Sequence, residues 1–184
     1  VTLLKNVAGD ISYALHNVET EAEKRLAERR VQELVYKLDG VSPGESYISE
    51  PHDLCFRTVA DLNLHGVPSL CIVREDPEKV VKDYDLNPKD VFLLSSKPVG
   101  GFKVLDNLQD ISLTISQFLK EVGGGVVLLD GLEYLITCFG FNPVYKMLQE
   151  KRFDFLEAKA VLLIPVALET LSNQERALLF TELK

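Results

Sequence analysis

The sequence predicts an α/β fold with a doubly wound, mostly parallel sheet of about five strands, helices on both faces and one long helix in front. Two observations predict this class. Short apolar segments alternate with helical patterns after residue 38, and segments such as VVLLD at 126–130 are apolar at consecutive positions. A strand that is apolar at consecutive positions is buried on both faces, which is typical of a parallel sheet covered by helices.

Length, composition and charge limit the kind of protein. The 184 residues are 46% hydrophobic, which is enough for one core, and we expect a helix over 1–37 and one α/β domain over 38–184. The net charge of −8 argues against nucleic acid as a partner, because phosphate contacts need clustered lysine and arginine. No apolar run reaches the roughly 18–20 residues that span a bilayer, so we expect no direct membrane insertion. Three cysteines without a CxxC pair fit a reducing cytoplasm.

The first 38 residues predict one long helix, because they contain no proline and a single glycine. Its apolar residues recur at three- and four-residue steps and form a narrow stripe: Leu4, Val7, Ile11, Leu15, Val18 and Ala22. Between Glu19 and Arg30, acids precede bases at helical spacing, which indicates a solvated helix. Two alternatives stay open: the stripe packs on its own domain, or two copies pair as a short coiled coil and form a homodimer.

The remaining elements alternate along the chain. The predicted strands lie at 46–50, 69–75, 91–95, 125–130 and 158–166. The predicted helices lie near 53–65, 77–84, 106–121, 141–151 and 172–183. Each strand is rich in β-branched or large apolar residues, and each helix shows apolar residues at helical spacing.

Polar residues collect where the predicted strands end. In an open parallel sheet, ligands bind beyond the carboxyl ends of the strands. The candidate ligand-binding residues at these ends are Asp130, Glu133, Arg74, Glu75 and Ser95, with Ser96 beside the last of them. An aspartate after a buried strand can hold Mg²⁺ in a nucleotide site, although many such aspartates only cap the next helix.

A phosphate-binding loop is the partner that a Mg-nucleotide site needs, and the motif GxxxxGK[ST] is missing from the sequence. The segment after the first predicted strand instead contains Glu50, Pro51, His52 and Asp53. Its acids would repel a triphosphate, and its proline removes an N–H donor. We therefore predict no ATP site, no bound cofactor and no metal, and we interpret His52 as an ordinary surface residue.

Five segments together resemble an archaeal domain-of-unknown-function family, the one numbered 835, over about residues 38–184. They are SPGESYISE, HGVPSLCIVREDPEKV with YDL behind it, FLLSS, GGVVLLDGLEYLITCFGF and AVLLIPVALETLSNQERALL. The order of LDGVSPGESYI and VVLLD is also similar to the KaiC branch of the RecA superfamily, which implies a RecA-like fold whose phosphate loop is lost. This chain has PVALET at a position where relatives have a segment that resembles Pro-Val-Asp-Pro. The aspartate is absent here, and any role that it has in the family is missing with it.

The segment LLKNVAGDISYALHNVETEAEKRLAERR is similar to the closing helix of GAF sensory domains. This resemblance implies an upstream sensor whose signal enters the α/β domain through the helix. We therefore expect a non-catalytic, cytoplasmic signal-transduction output domain that binds an unidentified protein partner. The candidate contact residues are Tyr134, Phe139, Phe141 and Tyr145, although aromatic residues in such positions more often pack in the core. The alternative is a cryptic nucleotide- or metal-binding domain that uses the acids at the strand ends.

Overall fold

A computed structural model describes residues 20–27, 36–37 and 40–184. It contains a six-stranded, fully parallel sheet with the order β1-β6-β5-β2-β3-β4. The strands are β1 (Ser46–Ser49), β2 (Ser69–Val73), β3 (Val91–Leu94), β4 (Lys103–Leu105), β5 (Val126–Leu129) and β6 (Val161–Pro165). The doubly wound α/β class is confirmed. The estimate of about five strands missed β4, because this edge strand has only three residues and begins with an exposed lysine.

The helices are α1 (His52–Leu64), α2 (Pro77–Tyr84), α3 (Leu108–Val122), α4 (Leu132–Phe139), α5 (Phe141–Ala158) and α6 (Asn173–Glu182), with short 3₁₀ turns at Pro88–Asp90 and Leu168–Thr170. The sequence interpretation missed α4, which is separated from α5 only by Gly140 at φ 84°. It also placed the start of the last strand too early. Ala158 still belongs to α5, and Lys159 ends that helix with a left-handed φ of 54°.

Local side-chain caps explain where several helices begin. Asn107 accepts a hydrogen bond from the backbone N–H of Asp110 at the start of α3. Ser172 and Glu175 form a reciprocal capping box at the start of α6. Such caps satisfy N–H groups that have no partner within the helix, so these starts are encoded locally.

Two apolar cores cover the two faces of the sheet. One contains residues of α1 and α2 against alternate strand positions such as Cys71, Val73 and Leu128. The other contains residues of α3 to α6 against the intervening positions, such as Ile72 and Leu129. Because side chains alternate across a strand, a strand that is apolar throughout supplies both cores.

The connections reverse direction between β2 and β5, which are neighbours in the sheet. From β2 the chain continues to β3 and β4 on one side, and from β5 it continues to β6 on the other side. The loops after β2 and β5 therefore diverge and leave a crevice at the carboxyl edge of the sheet. Such a topological switch point is where open α/β sheets bind ligands.

Gly125 fixes the entry into β5. Its φ is 97°, and an added Cβ would lie 2.7 Å from the carbonyl oxygen of Pro68 and 3.0 Å from the ring of Phe118. Both the backbone conformation and the space favour glycine. Gly123, which ends α3 at φ 58°, has nothing within 4 Å of an added Cβ.

A polar cluster joins α3 to α5. Lys151 is 9% exposed, and its Nζ donates to Ser116 Oγ at 2.6 Å and to Asp154 Oδ2 at 2.7 Å. Ser116 Oγ also donates to Asp154 Oδ2 at 3.0 Å. Burial raises the pKa of Asp154, but the hydrogen bonds from Lys151 and Ser116 and the nearby positive charges outweigh it, so the pKa lies below its ordinary value.

The N-terminal segment is described only in part. Residues 20–27 are helical and exposed, and Arg25 pairs with Glu21 at 3.8 Å, as the charge pattern predicts. Ala22 lies on this exposed helix, whereas the other stripe positions, Leu4, Val7, Ile11, Leu15 and Val18, lie outside the described residues. Within the described parts of the chain, no helix has the length and apolarity to cross a membrane.

Candidate functional site

Asp130 lies in the crevice at the switch point, directly after β5. Its backbone N–H donates to the carbonyl of Ile72 at 2.8 Å, which continues the ladder between β5 and β2. Its side chain is buried, because the residue is only 4% exposed. Oδ2 accepts a hydrogen bond from the backbone N–H of Arg74 at 2.9 Å, and Oδ1 lies 2.9 Å from Nε2 of His52. Both carboxylate oxygens are therefore held by groups of the same chain.

His52 begins α1 and brings the loop after β1 to Asp130. Its ring lies 5.0 Å from the ring of Phe56, and its Nδ1 lies 4.0 Å from Oε1 of Glu75. The side chain is 44% exposed, so one edge of the imidazole faces solvent. The interpretation of His52 as an ordinary surface residue is wrong in this respect. The partner that gives it a role is 78 positions away in the sequence.

Arg74 follows β2, and its side chain is directed to the opposite side from Glu75. Nη1 donates to the carbonyl oxygen of Leu94 at 3.0 Å, and the guanidinium lies 4.2 Å from the ring centre of Tyr134. A cation over an aromatic face is attracted by the ring quadrupole. Arg74 therefore forms no ion pair with Glu75 in the described structure, and its charge is engaged with β3 and α4.

Asp130 and Glu133 do not act as a pair of carboxylates. Oε1 of Glu133 accepts a hydrogen bond from the backbone N–H of Ala167 at 2.6 Å, so this side chain is directed to the loop after β6. Gly131, at φ 93°, lies between the strand and α4, and an added Cβ would lie 2.9 Å from Cβ of Arg74. Asp130 and Glu133, both candidate ligand-binding residues, therefore have different partners in the described structure.

Ser95 lies apart from the Asp130 contacts. Its Oγ accepts a hydrogen bond from the backbone N–H of Lys97 at 3.1 Å, and its own N–H donates to the carbonyl of Leu105. The hydroxyl shapes the turn that leaves β3. Of the five candidate ligand-binding residues, the structure thus brings together Asp130, Glu75 and the backbone of Arg74, with His52 added between them.

The loop after β1 gives the crevice a negative border. Glu50 is exposed, and Asp53 accepts hydrogen bonds from Arg57 Nε at 2.7 Å and from the hydroxyl of Tyr84 at 2.8 Å. Partial burial and the bond to Asp53 raise the pKa of Tyr84 to about 12. These contacts lie within α1 and between α1 and α2. The segment after β1 presents carboxylates where a phosphate loop would present N–H groups and a lysine.

The four candidate contact residues on α4 and α5 all pack partly against the core. Tyr134, Phe139, Phe141 and Tyr145 are half-buried and border the apolar cluster on the α3–α6 face. The rings of Phe141 and Tyr145 stack at 5.5 Å. Packing against the core covers much of the surface of each side chain. Their contact with a protein partner stays a prediction.

Two of the three thiols are buried. Burial raises the pKa of Cys55 to about 11 and that of Cys71 to about 12. Cys138 is exposed and lies in α4. It also forms a side-chain hydrogen bond with Tyr134 that, together with partial desolvation, raises the pKa of this tyrosine. Over the described residues, no group of three or more histidine, cysteine or acidic side chains is arranged to hold a metal ion.

Comparison with protein-family models gives a match over residues 48–183 to the family described as a protein of unknown function, DUF835. The chain belongs to this family. The DUF835 match begins within β1 and includes β2 to β6 and every residue of the Asp130 contacts, whereas the N-terminal helical segment lies outside it. No curated protein matches the chain.

Proposed function

We propose that this chain is a non-catalytic output or interaction domain that receives a signal through its N-terminal helix. One observation carries the proposal: the buried carboxylate of Asp130 has both oxygens engaged by His52 and by the backbone of Arg74. A carboxylate used in this way joins the loops after β1, β2 and β5. It stabilises the edge of the sheet, and each of its oxygens already has a partner in the chain.

The surroundings of Asp130 support the absence of nucleotide chemistry. Glu50, Asp53 and Glu75 border the crevice, and the guanidinium of Arg74, which directly follows β2, is engaged by Leu94 and Tyr134. A polyphosphate there would meet the like charges of Glu50 and Glu75, while Arg57 is already paired with Asp53. The close approach of the loop after β1 to Asp130 is also what a RecA-like fold with a lost phosphate loop would show, and this supports that resemblance.

The packing of Tyr36 supports the helix as the route of the signal. This helical residue is 3% exposed and belongs to the core on the α1–α2 face. Burial raises the pKa of its hydroxyl, and a hydrogen bond with the backbone of Gly125 partly offsets that shift. Gly125 directly precedes β5, and Asp130 directly follows it. A displacement of the helix at Tyr36 would therefore act on the strand that leads to the crevice.

The test is residue-resolved nucleotide binding. Backbone amide spectra of the full chain are recorded with and without Mg-ATP and Mg-GTP, together with melting curves. We expect no change at His52, Arg74 or Asp130. Saturable shifts at these amides, with a rise in melting temperature that Asp130→Asn abolishes, would overturn the proposal, because a ligand that binds only the folded state must stabilise it.

The switch point favours one alternative, a cryptic nucleotide or metal site in the crevice. Its specific observation is the pair of groups that remains open, Nδ1 of His52 and the carboxylate of Glu75, 4.0 Å apart. Titration of the same amides with Mg²⁺, Mn²⁺ and Zn²⁺ separates the two functions. Shifts centred on His52 and Glu75 would favour the metal site.

The proposed homodimer is tested by light scattering on the full chain. Ile11→Asp with Leu15→Asp places two charges in the apolar stripe. We expect a dimer that this double substitution converts to a monomer, because buried charges at such positions are costly. A native chain that is already monomeric would contradict the coiled-coil hypothesis.

A further inference from the structure

The helix at residues 20–27 is exposed along its whole described length. Every residue in this range is exposed, and Leu26 has an exposed fraction of 53%. Tyr36, later in the same N-terminal segment, is 3% exposed and packs in the core on the α1–α2 face. The α/β domain therefore covers the segment at Tyr36 but leaves Leu26 in water, where a large apolar side chain favours association.

Leu26 continues an 11-residue repeat in the sequence. Residues of like size recur at this spacing: Leu4, Leu15 and Leu26, then Val7 and Val18, then Ile11 and Ala22. Eleven residues make three turns of about 3.67 residues, so a repeat of this length stays on one side of a helix. Leu26 is thus the last member of the apolar stripe, whose positions before residue 20 lie outside the described residues.

A seven-residue repeat is the alternative for the same stripe, and the two patterns separate at residues 25 and 26. The heptad would place Arg25 on the contact face, whereas the 11-residue repeat places Leu26 there. Arg25 pairs with Glu21 at 3.8 Å along the helix surface, and its side chain is 75% exposed. A charged residue on the contact face of a coiled coil costs stability, whereas leucine suits that face. The 11-residue repeat is therefore favoured.

The distribution of charge favours contact between two copies through this segment. Residues 1–30 contain five basic and five acidic residues, so their net charge is zero. The net charge of −8 therefore lies entirely on residues 31–184. Two α/β domains repel each other, because like net charge opposes association, whereas two copies of the N-terminal segment do not.

We propose that the stripe that ends at Leu26 packs against the same stripe of a second copy of this chain, with the 11-residue repeat as its register. This inference rests on the homodimer proposed above and specifies its contact face. An 11-residue repeat gives a right-handed supercoil, whereas a heptad repeat gives a left-handed one. Leu26 is the last apolar layer, because the next positions of the repeat are Arg29 and Glu33.

The experiment measures the dissociation constant of the dimer by sedimentation equilibrium of the full chain over a dilution series. Leu26→Asp should raise this constant at least about tenfold, because each dimer would then contain two charges in an apolar layer. Leu54→Asp is the matched control: Leu54 is also 53% exposed, but it lies on α1, outside the stripe, and the constant should not change.

Arg25→Leu separates the two repeats. In the 11-residue repeat, position 25 lies beside the contact face, and we expect the dissociation constant to change by less than about threefold. In a heptad, the same substitution would replace a buried charge with leucine and lower the constant at least about tenfold. That tightening would overturn the 11-residue register.

Two other outcomes are decisive. A dimer that Ile11→Asp with Leu15→Asp dissociates, but that Leu26→Asp leaves intact, would overturn this inference and leave the homodimer in place. A native chain that is monomeric, with a melting temperature that Leu26→Asp lowers, would show that the stripe packs on its own domain. That result would contradict both the homodimer and the inference drawn from it.

Discussion

Removal of the Asp130 side chain is the perturbation that best examines the crevice. Asp130→Ala deletes both acceptors of a carboxylate that is 4% exposed, and it leaves the N–H of Arg74 without its partner. Hydrogen bonds to charged groups contribute about 1.5–3 kcal/mol each, and a buried group left unpaired costs a further 1–3 kcal/mol or so. We expect the free energy of unfolding to fall by about 4 kcal/mol or more, which is the low end of these contributions added together.

His52→Ala removes only one of these contacts. The histidine side chain is 44% exposed, so water can replace the imidazole at Oδ1, and we expect a loss near the lower end of the range, about 1.5 kcal/mol. In the double variant, the histidine substitution should add little, because its partner is already absent. The two substitutions should therefore show a coupling energy of about 1.5 kcal/mol.

The assay is urea unfolding of the native chain, the two single variants and the double variant at pH 7. Asp53→Ala is the matched control: it lies one residue from His52 on the same helix, but its side chain is 53% exposed. We expect a loss of about 1 kcal/mol or less there, as for other exposed ion pairs. If Asp130→Ala costs no more than Asp53→Ala, or if the single effects simply add, the structural role of Asp130 is refuted.

Three further predictions concern other parts of the fold. In native protein at pH 8, a thiol reagent should modify the exposed Cys138 alone, because burial keeps the other two thiols protonated and covered, and mass spectrometry should find all three modified after unfolding. Gly125→Ala should cost more than about 2 kcal/mol in urea unfolding, against about 1 kcal/mol for Gly123→Ala, since only the first adds a steric clash to the backbone strain; equal losses would contradict this reasoning. The stability gained by Asp154 over Asp154→Asn should be constant at neutral pH and should decrease as the pH falls below the ordinary value of 3.8, because the folded pKa lies lower. A difference that does not change as the pH falls through and below 3.8 would contradict the lowered pKa.

Several features of the fold could be predicted because they are encoded locally. The parallel sheet follows from strands such as Val126–Leu129, which are apolar at every position and so must be covered on both faces. The start of α6 follows from Ser172 and Glu175, whose spacing forms a capping box without help from the rest of the chain. The end of α3 follows from Gly123, which tolerates the left-handed φ that closes a helix.

The sequence analysis missed short elements whose hydrophobic patterns are weak. β4 has three residues, too few for its alternation to be distinguished from a turn, and it becomes a strand through its pairing with β3. The sequence predicted a helix for α5 but none for α4, because a single glycine separates the two helices. In both cases, neighbours elsewhere in the chain decide the structure.

The sequence alone determined that the acids at the strand ends belong to one edge of a parallel sheet and that no GxxxxGK[ST] motif follows β1. Only the tertiary structure decided which of those side chains meet. The order of the strands sets β2 beside β5, and α1 brings His52 to Asp130 across 78 positions. The physical reason is that hydrogen-bond partners are chosen by distance after the chain has folded. The spacing of residues along the chain indicates where helices and strands form, but it does not indicate which loops converge at a switch point.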